Sequence, residues 1–253
     1  NSMFNSIYGQ YFLNLYSGQH KWTGYTNLLP MPDYATRQSD IERIITEIID
    51  IKRWWFSLDE TNLEYHGLIA QVMHGHHLAE SLDQLQEKLT ADYSRYQKLV
   101  KENDDLWMDL AEIEADSDFR ATLNAYKSRR PYEELLSIDG AGNGNVINKQ
   151  VMAQEIVMEL VGMAFGRWNI RYATQPETIP PFGDVFDALP FMPVVSLQSE
   201  EAQLYPLTLP TDGILMGDDS HPDSLVKRVQ EVMHSLWKND ADEMESELCQ
   251  LIG

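Results

Sequence analysis

Imidazoles and carboxylates are the groups in this chain best equipped for chemistry, and their spacing decides what chemistry is open to them. His74-Gly75-His76-His77 crowds three imidazoles together, and imidazole is the commonest transition-metal ligand. A helical metal site needs H-x-x-x-H spacing or an acidic partner at a diagnostic offset. Neither is present, so an exposed helix junction is the favoured reading and no metal ligand set is expected. Asp139, Asn143, Gly144 and Asn145 imitate positions one, five, six and seven of a calcium loop. Ala141 and Gln150 stand where two further oxygen ligands belong, which leaves an ordinary loop. Pro32-Asp33 followed by Asp50-Ile51-Lys52 has the residue types of a metal-dependent nuclease. Asp50 and Lys52 fall within a strongly helical segment, where residues two apart do not face each other, and the nuclease reading fails. The Asp212, Asp218, Asp219 and Asp223 group suits turn formation and favourable charge at a helix N-terminus better than cation binding.

Two groups could meet nucleic acid. Gly166-Arg167-Trp168 with Arg171 joins cations to an aromatic ring, and Lys127, Arg129 and Arg130 form the densest basic cluster. These six residues (Arg167, Trp168, Arg171, Lys127, Arg129 and Arg130) are the candidates for DNA contact. For Arg167, pairing with an interior carboxylate is the favoured structural role. No nucleophile triad, paired acid and base, or phosphate loop appears, and the chain alone is not expected to be an enzyme.

These groups must be positioned by helices. Ser39 to Phe56 is helical, with Ile41, Ile44, Ile45, Ile48, Ile49 and Trp55 on one face and the Lys52 stem laid along it. A short helix is expected around Leu63–Met73. From Leu78 to Leu110, apolar residues recur at steps of three and four, which predicts a long coiled-coil-like helix or a hairpin broken at Thr90-Ala91-Asp92. Asp118 to Leu136 and Ile147 to Trp168 follow as helices, the latter apolar on more than one side and therefore central. Ser220-His221-Pro222-Asp223 carries an N-cap hydroxyl, a first-turn proline and a carboxylate three residues on, which places a helix start there. A second acidic helix begins near Asn239 to Asp242. The expected class is mainly α. Residues 1–38 are read as irregular or extended and rich in aromatics, 39–172 as a helical core domain, 173–219 as a proline-rich connector, and 220–253 as a helix pair packed on the core.

Forty acidic residues against nineteen basic give the 253-residue chain a formal charge of −21. Such a surface repels phosphate backbones, and non-specific nucleic-acid affinity comes mainly from phosphate neutralisation. Hydrophobic content of 43% fits a globular protein, and no apolar run reaches the ~18 residues of a membrane span. Asn1-Ser2-Met3-Phe4 carries no basic-then-apolar signal. A single cysteine, Cys249, suits a reducing cytoplasm.

Asp212-Gly213-Ile214-Leu215, Asp218-Asp219, His221-Pro222-Asp223, Val226, Arg228-Val229 and Val232 ahead of Leu236-Trp237 together resemble a late segment of large adenine-specific DNA methyltransferases. These are the PglX-like enzymes of BREX and DISARM phage defence and the type IIG restriction–modification proteins. Val161-Gly162 through Phe165-Gly166-Arg167-Trp168 resembles the family's apolar helix ending in Gly-Arg-aromatic, and Ile48 to Phe56 resembles the helix leaving its recognition region. The resemblance implies that Gly162, Gly166, Asp212, Gly213, His221, Pro222, Asp223 and Trp237 are structural signature positions. It also implies a bacterial or archaeal enzyme that methylates adenine N6 with S-adenosylmethionine. The Asn/Asp-Pro-Pro-aromatic loop of such an enzyme is missing, since Pro180-Pro181 follows Ile179, and so is its glycine-rich cofactor loop. The expectation is therefore a non-catalytic helical module with no cofactor of its own. Its partners would be the rest of the methyltransferase or other defence proteins, with DNA reached through the parent protein and no membrane. A stand-alone acidic interaction module or DNA mimic is the alternative.

Overall fold

The structure is a computed structural model that describes residues 2–17, 27–62, 65–72, 77–126, 147–179, 205–210 and 213–253. It is mainly helical, as expected. Among the described residues there is no β-strand, only a one-residue parallel bridge between Met216 and Ser224. The helices are α1 (Ser2–Asn5), α2 (Ile7–Ser17), α3 (Gln38–Phe56), α4 (Leu68–Val72), α5 (Leu78–Leu110), α6 (Asp118–Ala125), α7 (Lys149–Ala164), α8 (Arg171–Thr174), α9 (Leu225–Trp237) and α10 (Ala241–Ile252). In place of one core over 39–172, the chain forms two compact units, and the boundaries fall inside α3 at Lys52/Arg53 and inside α5 at Lys88/Leu89.

The first unit contains the N-terminal segment, in which residues 2–17 are helical rather than irregular, whereas 27–34 carry no helix. Gly9 sits inside α2 for a steric reason: a Cβ there would lie 2.1 Å from the Met3 carbonyl oxygen, so the glycine lets α1 and α2 meet closely. Ser6 stitches the join, donating from Oγ to the Met3 carbonyl at 2.6 Å and accepting from the Gly9 amide at 3.1 Å. The aromatics at helical spacing then find partners, with the Tyr8 and Phe12 rings edge-on at 5.1 Å. Met3, Tyr8, Leu13, Ile44, Leu99, Leu106 and Trp107 form the core of this unit. Asn103 of α5 is buried in it, donating from Nδ2 to the Ser2 carbonyl at 3.1 Å, while Trp107 Nε1 donates to Ser2 Oγ at 2.8 Å.

Helix α3 buries Ile44 completely and leaves Ile49 exposed, and Lys52 lies over the Tyr96 ring at 5.1 Å. Helix α5 runs unbroken through Thr90-Ala91-Asp92. Thr90 and Asp92 cost only a few tenths of a kcal/mol each in helix propensity, and the buried run Leu82, Leu85, Leu89, Tyr96 and Leu99 continues past them. Ser117 caps α6 by accepting from the Arg120 amide.

In the second unit α7 is central, and α4, α9 and α10 pack against it. Its apolar sides bury Met152, Ala153, Ile156, Leu160, Gly162, Met163 and Ala164, and Asn148 caps it with bonds from Gln150 and Val151 amides. The end of α8 and a 3-10 turn at Pro176–Thr178 occupy the start of the connector. Helix α9 starts at Leu225, not at Ser220, and its cap is Ser224, whose side chain accepts from the Lys227 amide. The reason lies in the backbone. Met216 donates to the Asp223 carbonyl and accepts from the Leu225 amide, both at 2.8 Å, which takes those groups before a helix could use them. No helix among the described residues is long and apolar enough to cross a membrane.

Candidate functional site: a buried carboxylate beneath the Gly-Arg-Trp corner

Helix α7 ends in a Schellman motif. Gly166, at φ 72°, donates to the Met163 carbonyl at 2.9 Å, and Arg167 donates to the Gly162 carbonyl at 2.7 Å. The left-handed turn swings Trp168 back over the helix it has just left. A Cβ on Gly162 would lie 2.3 Å from Trp168 Cδ1, so only glycine admits the indole there. The Tyr65 ring meets Trp168 edge-on at 4.7 Å. On the outer side the Arg167 guanidinium covers Trp168 at 4.6 Å and approaches Glu60 at 3.8 Å. Arg171 lies over the Tyr205 ring at 5.6 Å, and the Tyr205 hydroxyl accepts from the Ile170 amide at 3.0 Å.

Beneath this corner sits Glu159, the one acidic residue on the buried side of α7, with 1% of its surface exposed. Its Oε2 accepts from the Ile69 amide at 2.8 Å, while Oε1 is buried without a hydrogen-bond partner. Gly67, at φ 104°, makes room for it: a Cβ there would lie 2.6 Å from Oε1. Burial pushes the Glu159 carboxyl up to about 7, against the opposing pull of the Ile69 amide and the nearby Tyr65 hydroxyl. The Tyr65 phenol is driven well above its ordinary value by burial and then by the Glu159 charge. Half-exposed acids surround the corner, and Glu155 is also raised, first by burial and then by Glu60 and Asp59.

Chemically this is a proton-holding interior group with an aromatic lid, and Glu159 has no surface from which to touch a substrate. In the first unit, an open cleft of about 160 Å³ is lined by Tyr93, Tyr96, Gln97, Val100, Lys101 and Asp104. It falls below the ~300 Å³ at which small-ligand pockets begin.

The sequence candidates therefore divide. Arg167, Trp168, Arg171, Gly162 and Gly166 share one corner, although Arg167 pairs with the surface carboxylate of Glu60 rather than with the interior Glu159. Gly213 is exposed at φ 70° with open space around it. His221 accepts from the Asp223 amide on Nδ1 at 3.0 Å, Pro222 is exposed, Asp223 pairs with Arg228 at 3.1 Å, and Trp237 is half-buried at the end of α9. These are turn and packing positions. Asp218 accepts from the Ser220 amide and hydroxyl, which lowers its carboxyl below the ordinary range and fits the turn-forming role expected of the Asp group. Lys127, Arg129, Arg130, Asp212, Pro180-Pro181, the Asp139–Asn145 loop, and His74 to His76 lie outside the described residues. Neither residue type nor spacing marks Glu159, Tyr65 and Gly67 as site residues in the sequence. The available signal is an acid inside the apolar run from Ile156 to Phe165.

Compared with known proteins, the chain matches no family model, no curated protein and no solved structure.

Proposed function

We propose that this chain is a non-catalytic helical module of an adenine-specific DNA methyltransferase. It scaffolds target recognition and contacts partner polypeptides in the cytoplasm of a bacterium or archaeon. The observation that carries the reading is the use made of the Gly-Arg-Trp corner. Its glycines cap and pack α7, and its cations are turned onto Trp168, Glu60 and Tyr205 of the same unit. Residues spent in this way support a scaffold, and the charge of −21 weighs against phosphate contact by the chain itself. S-adenosylmethionine and the flipped adenine would be held by the rest of the enzyme.

The test is reconstitution. The purified chain is mixed with the catalytic domain of a PglX-like methyltransferase, and complex formation and adenine methylation of duplex DNA are measured. A stoichiometric complex that restores methylation is expected, together with no salt-dependent DNA binding by the chain alone. If the chain by itself bound DNA steeply with falling salt, and Arg167→Ala with Arg171→Ala abolished that binding, direct DNA contact would replace scaffolding. If it inhibited unrelated DNA enzymes without forming the complex, the acidic-mimic reading would replace it.

A further inference from the structure

His77 precedes α5 and lies beside α10 in the second unit. Its Nδ1 is 3.0 Å from Glu247 Oε1 and 3.5 Å from Glu243 Oε1, and the three donor atoms lie within 4.8 Å of one another. The two glutamates are four residues apart on α10, so they project from one face of the helix toward the imidazole. We propose that His77, Glu243 and Glu247 form a divalent transition-metal site, best matched to Zn²⁺, that clips α10 to the start of α5.

Three features support the assignment. A tetrahedral zinc with nitrogen and oxygen ligands at about 2.0–2.2 Å sets its donors about 3.3–3.5 Å apart, and the two His–Glu separations bracket that spacing. Glu247 is already oriented: its Oε2 accepts from the Leu78 amide at 2.6 Å and the Ala79 amide at 3.4 Å, which turns Oε1 toward the imidazole. Such fixing of a ligand by backbone donors is the usual support around a metal. Among the described residues, neither Glu243 nor Glu247 pairs with a lysine or arginine, so His77 is their one cationic partner. One nitrogen and two carboxylates are the donor mixture of borderline metals, and a fourth position is left for water. Glu243, more than half exposed, needs only a side-chain rotation to close the third edge.

Without metal the same carboxylates retain a proton on His77. Glu247 holds it first by hydrogen bonding, and Glu243 and then Glu80 add charge, so the imidazole titrates above its ordinary value. Zinc must displace that proton, and its affinity therefore rises with pH.

The experiment titrates ZnCl₂ into the chelator-stripped full chain at pH 7.5 against a chromophoric zinc indicator, with thermal melting in parallel. The variants are His77→Ala, Glu243→Gln and, as a control, His74→Ala with His76→Ala. One zinc per chain is expected, with a rise in Tm. Affinity should fall at least about tenfold in His77→Ala and Glu243→Gln, while the control binds as the parent does. Circular dichroism checks that each variant remains folded, and the exposed positions of His77 and Glu243 make that outcome expected. Absence of binding at tens of micromolar zinc, binding unchanged in both site variants, or loss confined to the control pair would each overturn the assignment.

Discussion

Replacing Glu159 by Gln removes a buried ionisable group and keeps its shape. Glu159 is held at about 7 in the folded chain, against 4.5 ordinarily. A carboxyl raised by folding binds its proton more tightly in the native state. Below pH 4.5 both states are protonated and folding incurs no cost. As pH rises toward 7 the unfolded state ionises first, and the folded state is penalised until its own carboxyl gives way. At about 1.4 kcal/mol per pH unit the full penalty is roughly 3 kcal/mol, of which about 2.5 kcal/mol accrues between pH 5 and pH 8. Gln brings its own cost, because its amide nitrogen at the Oε1 position would be a buried donor without a partner, at about 1–3 kcal/mol. That cost is the same at both pH values and cancels in the difference. Urea unfolding of parent and Glu159→Gln at pH 5 and pH 8 should therefore show the variant gaining about 2.5 kcal/mol relative to the parent at the higher pH. A gain under about 0.5 kcal/mol would refute the reasoning, since it would mean that water or an unseen donor satisfies Oε1.

Gly162→Ala should destabilise the chain by about 1–3 kcal/mol through its clash with Trp168. Combining it with Trp168→Ala should cost less than the sum of the two single changes, and additive urea midpoints would contradict the packing account. Ser224→Ala should cost about 1 kcal/mol as a lost N-cap, whereas Ser220→Ala should change stability by less than about 0.5 kcal/mol. The reverse order would restore the earlier helix start. His77, followed by NMR, should titrate above 6.5, and Glu247→Gln should lower that midpoint. The accompanying stabilisation is present below pH 6.5 and disappears as pH rises through the folded value. Arg167→Ala should change stability by under about 1 kcal/mol, because the cation is half-exposed and its distance to Glu60 is long.

Periodicity made α3, α5, α7 and α10 legible, because in each a buried face recurs every three to four residues: Ala241, Met244 and Leu248 of α10 are buried where the spacing puts them. What escaped was set by single backbone groups or by distant partners. Gly9 looks like a breaker in sequence, and only the approach of the Met3 carbonyl reveals why a glycine belongs inside a helix. Ser220-His221-Pro222-Asp223 has the composition of a helix start, but the backbone of nearby Met216 folds back onto it and occupies the groups that a helix would need, a pairing that residue types do not announce. His77 has one acid at a helical offset, Glu80, but the glutamates that meet its ring stand about 170 positions downstream. Glu159 interrupts an apolar stretch in sequence, yet nothing nearby says that Gly67 and the Ile69 amide will receive it.

The space between Gly67 and Glu159 also restricts the routes by which this chain can change. At Gly67 any side chain meets both an unfavourable φ of 104° and the Glu159 carboxylate. At position 159, a shorter residue would abandon the Ile69 amide and leave a void. Each position thus holds the other in place, and a lineage passing through either single change starts from a weakened fold. Laboratory selection from a Gly67→Ala background should recover stability through smaller residues at position 159 more often than through changes on the exposed surface.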